Sequence, residues 1–252
     1  WNYNLSRKVA SYIKKEFPGC MTVFGGPNVA KEPEDNRSFL AQNPVIDFLV
    51  YSDGEYPVFN LVQLLLQYQY EDDPIVKIKD IKVDGVRTLV DDNIIMGASF
   101  DLVQDMSQIP SPYLTGLFDN LLSNNQLMPI IQNVRGCPYQ CSFCVSGSHP
   151  SQLRSFPLER VTAEIDYLRD HAKNRILRFA DDNFGIVRGD IDVSKYLKKS
   201  HLVHKYPSGT KIYLSKKLSE RTREISSILK ELTLMNISFQ SITPEVLKKS
   251  KR

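Results

Sequence analysis

The sequence predicts an α/β fold in two domains, each built around a parallel sheet. Short apolar segments alternate with longer amphipathic segments along most of the chain, and turns rich in glycine, proline or aspartate separate them. Such alternation favours parallel sheets, because the path from one strand to the next parallel strand needs a crossover that is usually a helix. Residues 97–127 lack this alternation and contain Pro110 and Pro112, so they are predicted to link a first domain (1–96) to a second (128–252).

The first domain is predicted to contain a helix, two strands, a second helix and a hairpin. Apolar residues at helical spacing, followed by Pro18-Gly19, indicate the first helix, and Pro57 suits the first turn of the second. An alternating segment centred on Asp84-Gly85 predicts a β-hairpin, since Asp-Gly is a strong turn signal. The predicted elements are a helix over 4–17, strands over 20–24 and 45–51, a helix over 57–68 and a hairpin over 78–90.

The second domain alternates strands and helices in the manner of a βα barrel. Three strand–helix units and the start of a fourth are predicted, and the chain is expected to end before such a barrel closes. The predicted strands cover 129–134, 175–180, 211–214 and 237–240, and the helices cover 158–171, 190–201 and 220–232, with another after Pro244.

Composition excludes some classes of function. The net charge of +3 comes without a long basic stripe, so there is no clear signal for nucleic-acid binding. No run of about 18 apolar residues is present, so no membrane span is predicted. The chain has four cysteines, and three of them crowd into one short segment, which is unlike a disulfide framework. A reducing compartment, the cytoplasm, is therefore expected.

The crowded cysteines are Cys137, Cys141 and Cys144, with the spacing C-x3-C-x2-C directly after a predicted strand. Iron–sulfur clusters are held by thiolates on short loops of this kind, which predicts a 4Fe–4S cluster. Three thiolates leave one iron of such a cluster without a protein ligand, and an open coordination position is where substrate chemistry takes place. A structural zinc ion stays an alternative, with His149 as fourth ligand.

The cysteine segment resembles the signature of the radical S-adenosylmethionine superfamily, with Arg135-Gly136 before its first cysteine and Phe143 before its last. The resemblance implies that the open iron chelates the amino and carboxylate groups of S-adenosylmethionine. An electron from the reduced cluster then cleaves the sulfonium to methionine and a 5′-deoxyadenosyl radical. It also implies an electron donor such as a flavodoxin or ferredoxin, and a small-molecule substrate or modified natural product.

The same resemblance implies contacts to S-adenosylmethionine after the later strands. Asp181 or Asp182 follows the second barrel strand, where the family places a motif that binds the amino group, although an Asp-Asn turn is the alternative. Ser215 or Lys216 follows the third strand. Gln240 lies in a segment similar to an Ile-Gln-Ser strand end near the ribose of the cofactor. At these two strand ends, ordinary polar loop residues are the competing interpretation.

The first domain resembles the cobalamin-binding domain that precedes many such barrels. Gly25-Gly26 follows one strand and Gly54-Glu55 follows the next, at the carboxyl ends where open α/β sheets bind ligands. Glycines also let the backbone approach a bulky cofactor closely. Ser52 and its neighbour depart from the commoner Gly-Glu, and no D-x-H-x-x-G segment offers a histidine to cobalt. Gly25, Gly26, Gly54 and Glu55 are therefore the predicted cobalamin contacts.

Together these features predict a partial Rossmann-like cobalamin-binding domain followed by a partial radical S-adenosylmethionine barrel. The implied enzyme uses the radical for methyl transfer or another C–H functionalisation with cobalamin. Two alternatives stay open, a radical enzyme without cobalamin and a non-enzymatic, zinc-stabilised binding domain. Because the start resembles the middle of a cobalamin domain, and no glycine-rich adenine-binding element follows the barrel strands, both domains are expected to be truncated and the isolated chain inactive.

Overall fold

The structure is a computed structural model that describes residues 2–30, 32–51, 53–98, 102–144, 152–215, 219–237 and 240–251. The chain divides into two compact units, Trp1–Val103 and Gln104–Arg252. Each unit combines helices with a sheet that contains parallel strand pairs, which confirms the predicted α/β class. The sheet of the first unit is mixed, however, because two of its three strand pairs are antiparallel.

The first unit has one sheet with the strand order β1-β2-β3-β4. Strands β1 and β2 are parallel, whereas β3 and β4 continue the sheet in antiparallel pairs. The described elements are α1 (Tyr3–Glu16), β1 (Val23–Gly25), α2 (Pro33–Ala41), β2 (Phe48–Val50), α3 (Glu55–Gln67), α4 (Pro74–Lys79), β3 (Val86–Val90) and β4 (Asn93–Met96). The crossover helix α2 is not predicted by the sequence pattern, although Pro33 in its first turn and Glu34 beside it suit a helix start.

The predicted hairpin around Asp84-Gly85 is wrong, because the β3–β4 hairpin turns later, at Asp91 and Asp92. These two residues have φ angles of 45° and 64°, the left-handed conformation that a tight hairpin turn requires and that aspartate tolerates. The predicted first arm of the hairpin is not a strand, since its first two residues, Ile78 and Lys79, belong to helix α4. The first turn of that helix is capped by the carboxylate of Asp73.

Strand β2 lies between two apolar layers. Phe48 and Val50 face a cluster that includes Leu61 of α3, while Leu49 faces Leu40 of α2, as the alternation of side chains along a strand dictates. All three residues of the strand are buried, which is typical of a strand covered on both faces.

A buried ion cluster precedes β2. The carboxylate of Asp47 binds the ammonium groups of Lys14 at 2.6 Å and Lys79 at 3.1 Å, and it accepts a hydrogen bond from the backbone N–H of Thr22. Burial acts to raise the pKa of Asp47, but the bonds from Lys14 and Thr22 and the charge of Lys79 outweigh it and leave the pKa below its ordinary value.

Helix α1 forms as predicted, but its apolar stripe is not covered by the described residues. Leu5, Val9 and Tyr12 are 65%, 52% and 60% exposed, whereas Ala10 is buried.

The second unit is built on a parallel sheet with the strand order β10-β9-β8-β5 and a separate antiparallel pair, β6–β7. Three helices follow their strands in the predicted βα pattern. The described elements are α5 (Asp119–Leu122), β5 (Ile130–Ile131), β6 (Val134–Arg135), β7 (Arg154–Ser155), α6 (Leu158–His171), β8 (Ile176–Phe179), α7 (Gly189–His204), β9 (Gly209–Tyr213), α8 (Glu220–Leu229), β10 (Thr233–Asn236) and α9 (Pro244–Lys249).

The fourth strand of this sheet is earlier than predicted. Helix α8 ends at Leu229, and residues 233–236 pair with β9, so the predicted strand at 237–240 begins where β10 has already ended. Periodicity fails here because the end of an amphipathic helix and the start of a short apolar strand carry the same residue types. Phe239 of that prediction lies outside the described residues.

The core of the second unit lies between the sheet and its helices. Leu177 and Phe179 of β8 pack with Ile165 and Leu168 of α6 and with Leu197 of α7, and all five side chains are fully buried. The segment that the sequence predicts as a linker contributes Met106, Tyr113 and Leu122 to this same core.

Candidate functional site

A group of polar residues in the second unit lies at the carboxyl ends of three neighbouring parallel strands. Strand β5 leads to Asn133 and the first cysteine, β8 leads to Asp181 and Asn183, and β9 leads to Ser215. Because parallel neighbours end at the same edge of a sheet, these segments meet there, which is where α/β barrels and open sheets place ligand sites.

The cysteines lie directly after strand β6. Residues 136–144, here called the cysteine loop, follow that strand, whose Arg135 pairs with Arg154 of β7 in an antiparallel ladder. The backbone N–H of Phe156 also donates to the carbonyl of Asn133 at 2.9 Å. Gly136 starts the loop with a φ of 103°, a conformation that side chains other than glycine rarely adopt.

None of the three cysteines forms a disulfide bond within the described residues. Cys137 and Cys141 are buried and Cys144 is half-buried, and the backbone N–H of Cys144 donates to the carbonyl of Cys141 at 3.0 Å. Within the described ranges, no three His, Cys, Asp or Glu side chains converge to hold one metal ion. The thiolates of a four-iron cluster bind separate irons, so they need not converge on one point. His149, the fourth ligand of the zinc alternative, lies outside the described residues.

Asn183 is a site residue that sequence reasoning missed. Its side-chain Nδ2 donates a hydrogen bond to Sγ of Cys137 at 3.2 Å, and the residue is 3% exposed. Its Oδ1 is buried and has no hydrogen-bond partner in the part of the chain that the structure describes. A buried acceptor left without a donor costs about 1–3 kcal/mol, so this oxygen is a candidate acceptor for a bound group. The signal in the sequence is its place just past the end of a strand.

Asp181 holds the start of the cysteine segment. The residue is buried, and its two carboxylate oxygens accept hydrogen bonds from the backbone N–H groups of Asn133 at 2.8 Å and Val134 at 2.9 Å. Burial raises the pKa of Asp181 to about 7, with a contribution from the negative charge of Asp190, although the backbone hydrogen bonds act in the opposite direction. Asp182, the other predicted ligand of the amino group, is exposed.

A second buried carboxylate joins the loop after β8 to the segment after β5. Asp190, in the first turn of α7, accepts a 2.6 Å hydrogen bond from the side-chain Nδ2 of Asn133 and a 2.7 Å bond from the backbone N–H of Gly185. Burial raises the pKa of Asp190 to about 6, while hydrogen bonds from Val187, Gly185 and Asn133 lower it. Asn133 therefore connects both buried carboxylates, through its backbone to one and through its side chain to the other.

Ser215 connects the cysteine loop to strand β9. Its Oγ lies 3.3 Å from the hydroxyl of Tyr139, and its backbone N–H donates to the carbonyl of Phe184 at 2.7 Å. Lys216 lies outside the described residues. Gln240 is exposed, with a φ of 59°, and among the described residues no hydrogen bond joins its side chain to this edge. The structure thus brings Ser215 to Tyr139 of the cysteine loop, and among the described residues it shows no such contact for Gln240.

In the first unit, the four residues predicted to contact cobalamin lie at or after the carboxyl ends of β1 and β2, with Gly25 the last residue of β1. A Cβ at Gly25 would lie 3.2 Å from the carbonyl oxygen of Val50, so the two strands approach closely there. Gly26 has a φ of 102°, and no atom of the described residues lies within 4 Å of a Cβ built there. Gly54 directly precedes helix α3, and Glu55 is the first residue of that helix.

The first unit also contains a cavity of about 710 Å³ beside β1. Gly25 lines it, together with Tyr3 of α1 and Phe39 of α2, whereas Gly26, Gly54 and Glu55 do not. Its volume lies within the range of small-molecule pockets. The cavity therefore includes one of the four predicted contacts.

The fold and the site define a class, an α/β protein with a three-cysteine loop at the carboxyl edge of a parallel sheet. Residues 132–252 match the family model of the Radical SAM superfamily. This part of the chain therefore belongs to the radical SAM superfamily, as the resemblance of the cysteine segment implies.

Curated relatives extend the match over nearly the whole chain. The chain is 30% identical to 2-(S-pantetheinyl)-carbapenam-3-carboxylate methyltransferase of Streptantibioticus cattleyicolor, over 98% of this chain and 36% of the relative. It is 28% identical to the cobalamin-dependent radical SAM methyltransferase TokK of Streptomyces tokunonensis, with the same coverage of both chains. The chain thus spans about a third of the length of these relatives.

A solved structure shares the fold. The radical S-adenosylmethionine methyltransferase TsrM from Kitasatospora setae, solved with cobalamin and a [4Fe-4S] cluster bound, superimposes with a TM-score of 0.67 at 15% sequence identity. The similarity covers 96% of this chain and 45% of that one.

Among the described residues, none of the helices is both long and apolar enough to cross a membrane.

Proposed function

We propose that this chain is part of a radical S-adenosylmethionine enzyme whose 4Fe–4S cluster is held by Cys137, Cys141 and Cys144. The observation that carries the proposal is the cysteine loop itself, which places three cysteines after β6, one of them, Cys137, in contact with Asn183 at the carboxyl edge of the sheet. Two curated relatives named as methyltransferases support methyl transfer as the outcome.

The residues present fit such a cluster and its substrate. The side-chain N–H of Asn183 supplies a donor to a cysteine sulfur that, as a thiolate, can only accept. Its unpartnered Oδ1 is an acceptor suited to an ammonium group such as that of S-adenosylmethionine. When bound, the reduced cluster supplies the electron that cleaves the sulfonium to methionine and a 5′-deoxyadenosyl radical.

The protein contributes position and shielding. Asp181 and Asn133 fix the backbone that enters the cysteine loop, and Ser215 and Tyr139 hold the loop near β9. Burial of two of the three thiols keeps water away from the metal centre, which protects a reactive radical from side reactions.

The proposal includes cobalamin in the first unit. Its support is the name of TokK as a cobalamin-dependent enzyme, the cobalamin bound in TsrM, and the two glycines that end β1. Gly26 leaves open space beside the backbone, which suits the approach of a large planar cofactor. Without cobalamin, the first unit would serve as a scaffold or substrate reader.

The chemistry needs a reductant and a reducing environment. We assign this role to a flavodoxin or ferredoxin and the location to the cytoplasm, where thiols stay reduced. The substrate class, a small molecule or modified natural product, follows from the carbapenam substrate in the name of the first relative.

Metal analysis of the full-length protein, reconstituted anaerobically, tests the proposal. About four irons and four sulfides per chain are expected. With dithionite and S-adenosylmethionine the protein should form methionine and 5′-deoxyadenosine, measured by mass spectrometry. Zinc without sulfide would overturn the proposal and favour a metal-stabilised binding domain.

The absorption spectrum after supplementation with hydroxocobalamin tests the cobalamin part separately. Bound corrinoid should add its own bands to the broad absorption of the cluster. A protein that forms 5′-deoxyadenosine but retains no corrinoid after desalting would overturn this part and leave radical chemistry without cobalamin.

A further inference from the structure

We propose that Asn183 sets the reduction potential of the cluster through its hydrogen bond to Cys137. This inference rests on the proposed function, because it needs a cluster on the cysteine loop. It assigns a role to a residue that is not itself a metal ligand. Asn183 is thus a positioning residue that acts on the metal through the sulfur.

The geometry of the contact carries the inference. Nδ2 of Asn183 lies 3.2 Å from Sγ of Cys137, a short distance for a hydrogen bond to sulfur. Asn183 is 3% exposed and Cys137 is 5% exposed, so water competes weakly for either group. In such a low-dielectric setting a hydrogen bond is electrostatically stronger than in water.

The direction of the effect follows from charge. Reduction adds an electron to a cluster that is already negative with its thiolates, and a donor that points at a ligand sulfur stabilises the more negative state. Hydrogen bonds to sulfur are among the factors that set the potentials of iron–sulfur clusters. The bond from Asn183 therefore raises the potential and makes the electron that cleaves the sulfonium easier to load.

The backbone around Asn183 holds the amide in place. The N–H of the next residue, Phe184, donates to the carbonyl of Tyr213 at 2.8 Å, and the carbonyl of Asn183 accepts from Ile186 at 3.1 Å. The ring of Phe184 is fully buried against Phe179, with ring centroids 5.0 Å apart. A donor anchored on both sides loses little conformational entropy when it bonds the sulfur, so the contact persists.

Two substitutions separate the hydrogen bond from the charge. Asn183→Leu keeps the approximate size of the side chain and removes the donor, whereas Asn183→Asp keeps the shape, replaces the donor with an acceptor and adds negative charge. Asn120→Leu is the matched control, because Asn120 is an exposed asparagine of the same unit.

The readout is the midpoint potential of the cluster in the full-length protein, measured by redox titration with electron paramagnetic resonance. Iron and sulfide per chain are measured in parallel. Asn183→Leu should shift the potential to more negative values, and Asn120→Leu should leave it unchanged. Asn183→Asp should shift the potential further, when it is measured at a pH at which the introduced carboxyl is ionised. An Asn183→Leu protein with a full cluster and the wild-type potential would overturn the inference.

Variants that fail to load the cluster also test whether Asn183 sets its potential. If Asn183→Leu does not load, an Asn183→Asp potential equal to or above that of the wild type would overturn the inference. Loss of the cluster from both folded variants would do so too, since Asn183 would then act in assembly. A wild-type protein without any cluster would instead refute the proposed function.

Discussion

The side-chain amide of Asn133 donates a 2.6 Å hydrogen bond to the buried carboxylate of Asp190, which lies 57 positions later in the chain. The backbone N–H of the same asparagine donates to Asp181. Asn133, between β5 and β6, thus joins the start of the cysteine segment to the loop after β8 and to helix α7.

Replacement of Asn133 by alanine tests the energy of this connection. The variant leaves one oxygen of buried Asp190 without its donor, and bonds to charged groups contribute about 1.5–3 kcal/mol. We expect the free energy of unfolding in urea to fall by about 2 kcal/mol. The exposed control Asn120→Ala should stay within about 0.5 kcal/mol of the wild type. Equal stability of the two variants would contradict the network.

Stability should depend on pH through Asp181 and Asp190. Their folded-state pKa values are raised to about 7 and about 6 from an ordinary 3.8. Between the ordinary and the raised values the folded protein therefore binds more protons than the unfolded chain does. This contribution to stability is fully present below the ordinary value and is lost as pH rises through the folded values.

Asp181→Asn removes one of these titrating groups. The stability of the wild type relative to this variant should therefore be greater at about pH 5 than at about pH 8, as measured by urea unfolding. Asp182→Asn, at the exposed neighbour, should keep the pH dependence of the wild type. A relative stability that does not change between these two pH values would show that Asp181 is ionised in the folded protein throughout this range.

Gly136 should tolerate no side chain. Its φ of 103° is unfavourable for other residues, so Gly136→Ala should cost about 1–3 kcal/mol and lower the iron bound per chain after reconstitution. Gly189→Ala is the control, because among the described residues nothing lies within 4 Å of a Cβ built there, and the residue begins helix α7. Alanine favours helices, so this control should be neutral or slightly stabilising. A similar loss of iron from both variants would argue against a special conformation at Gly136.

The four cysteines should differ in their effect on metal content. Alanine at Cys137, Cys141 and Cys144 together should abolish the absorption of the cluster in the reconstituted full-length protein. Cys20→Ala should retain it, because Cys20 is an exposed thiol of the first unit. Iron and sulfide retained by the triple variant would place the cluster elsewhere.

Local signals predicted the parts of this molecule that depend on neighbouring residues. Helix α6 has the predicted boundaries, and helix α9 begins at the proline that was expected to open it. Amphipathic periodicity and the preference of proline for the first turn of a helix both act over a few residues. The cysteine spacing is local in the same sense. The contacts of Asn183 and Asn133 were not predicted, since they join positions 46 and 57 apart and no short-range pattern encodes them.

Turn chemistry explains the errors in the first unit. The Asp-Gly pair at 84–85 is a stronger turn signal than two aspartates, yet the hairpin turns at Asp91 and Asp92. The pairing of β3 with β4 determines the position of this turn. Helix α2 was missed because its nine residues are mostly polar and bury only Asn36 and Leu40.

The ladder between β6 and β7 has a consequence for metal affinity. Strands on either side of the cysteines pair with each other, Arg135 with Arg154, so folding itself contributes to the entropy of closing this segment. Any substitution that opens the ladder should therefore weaken iron binding without touching a ligand. By mass action the reverse holds as well, so bound metal should raise the unfolding temperature of the second unit.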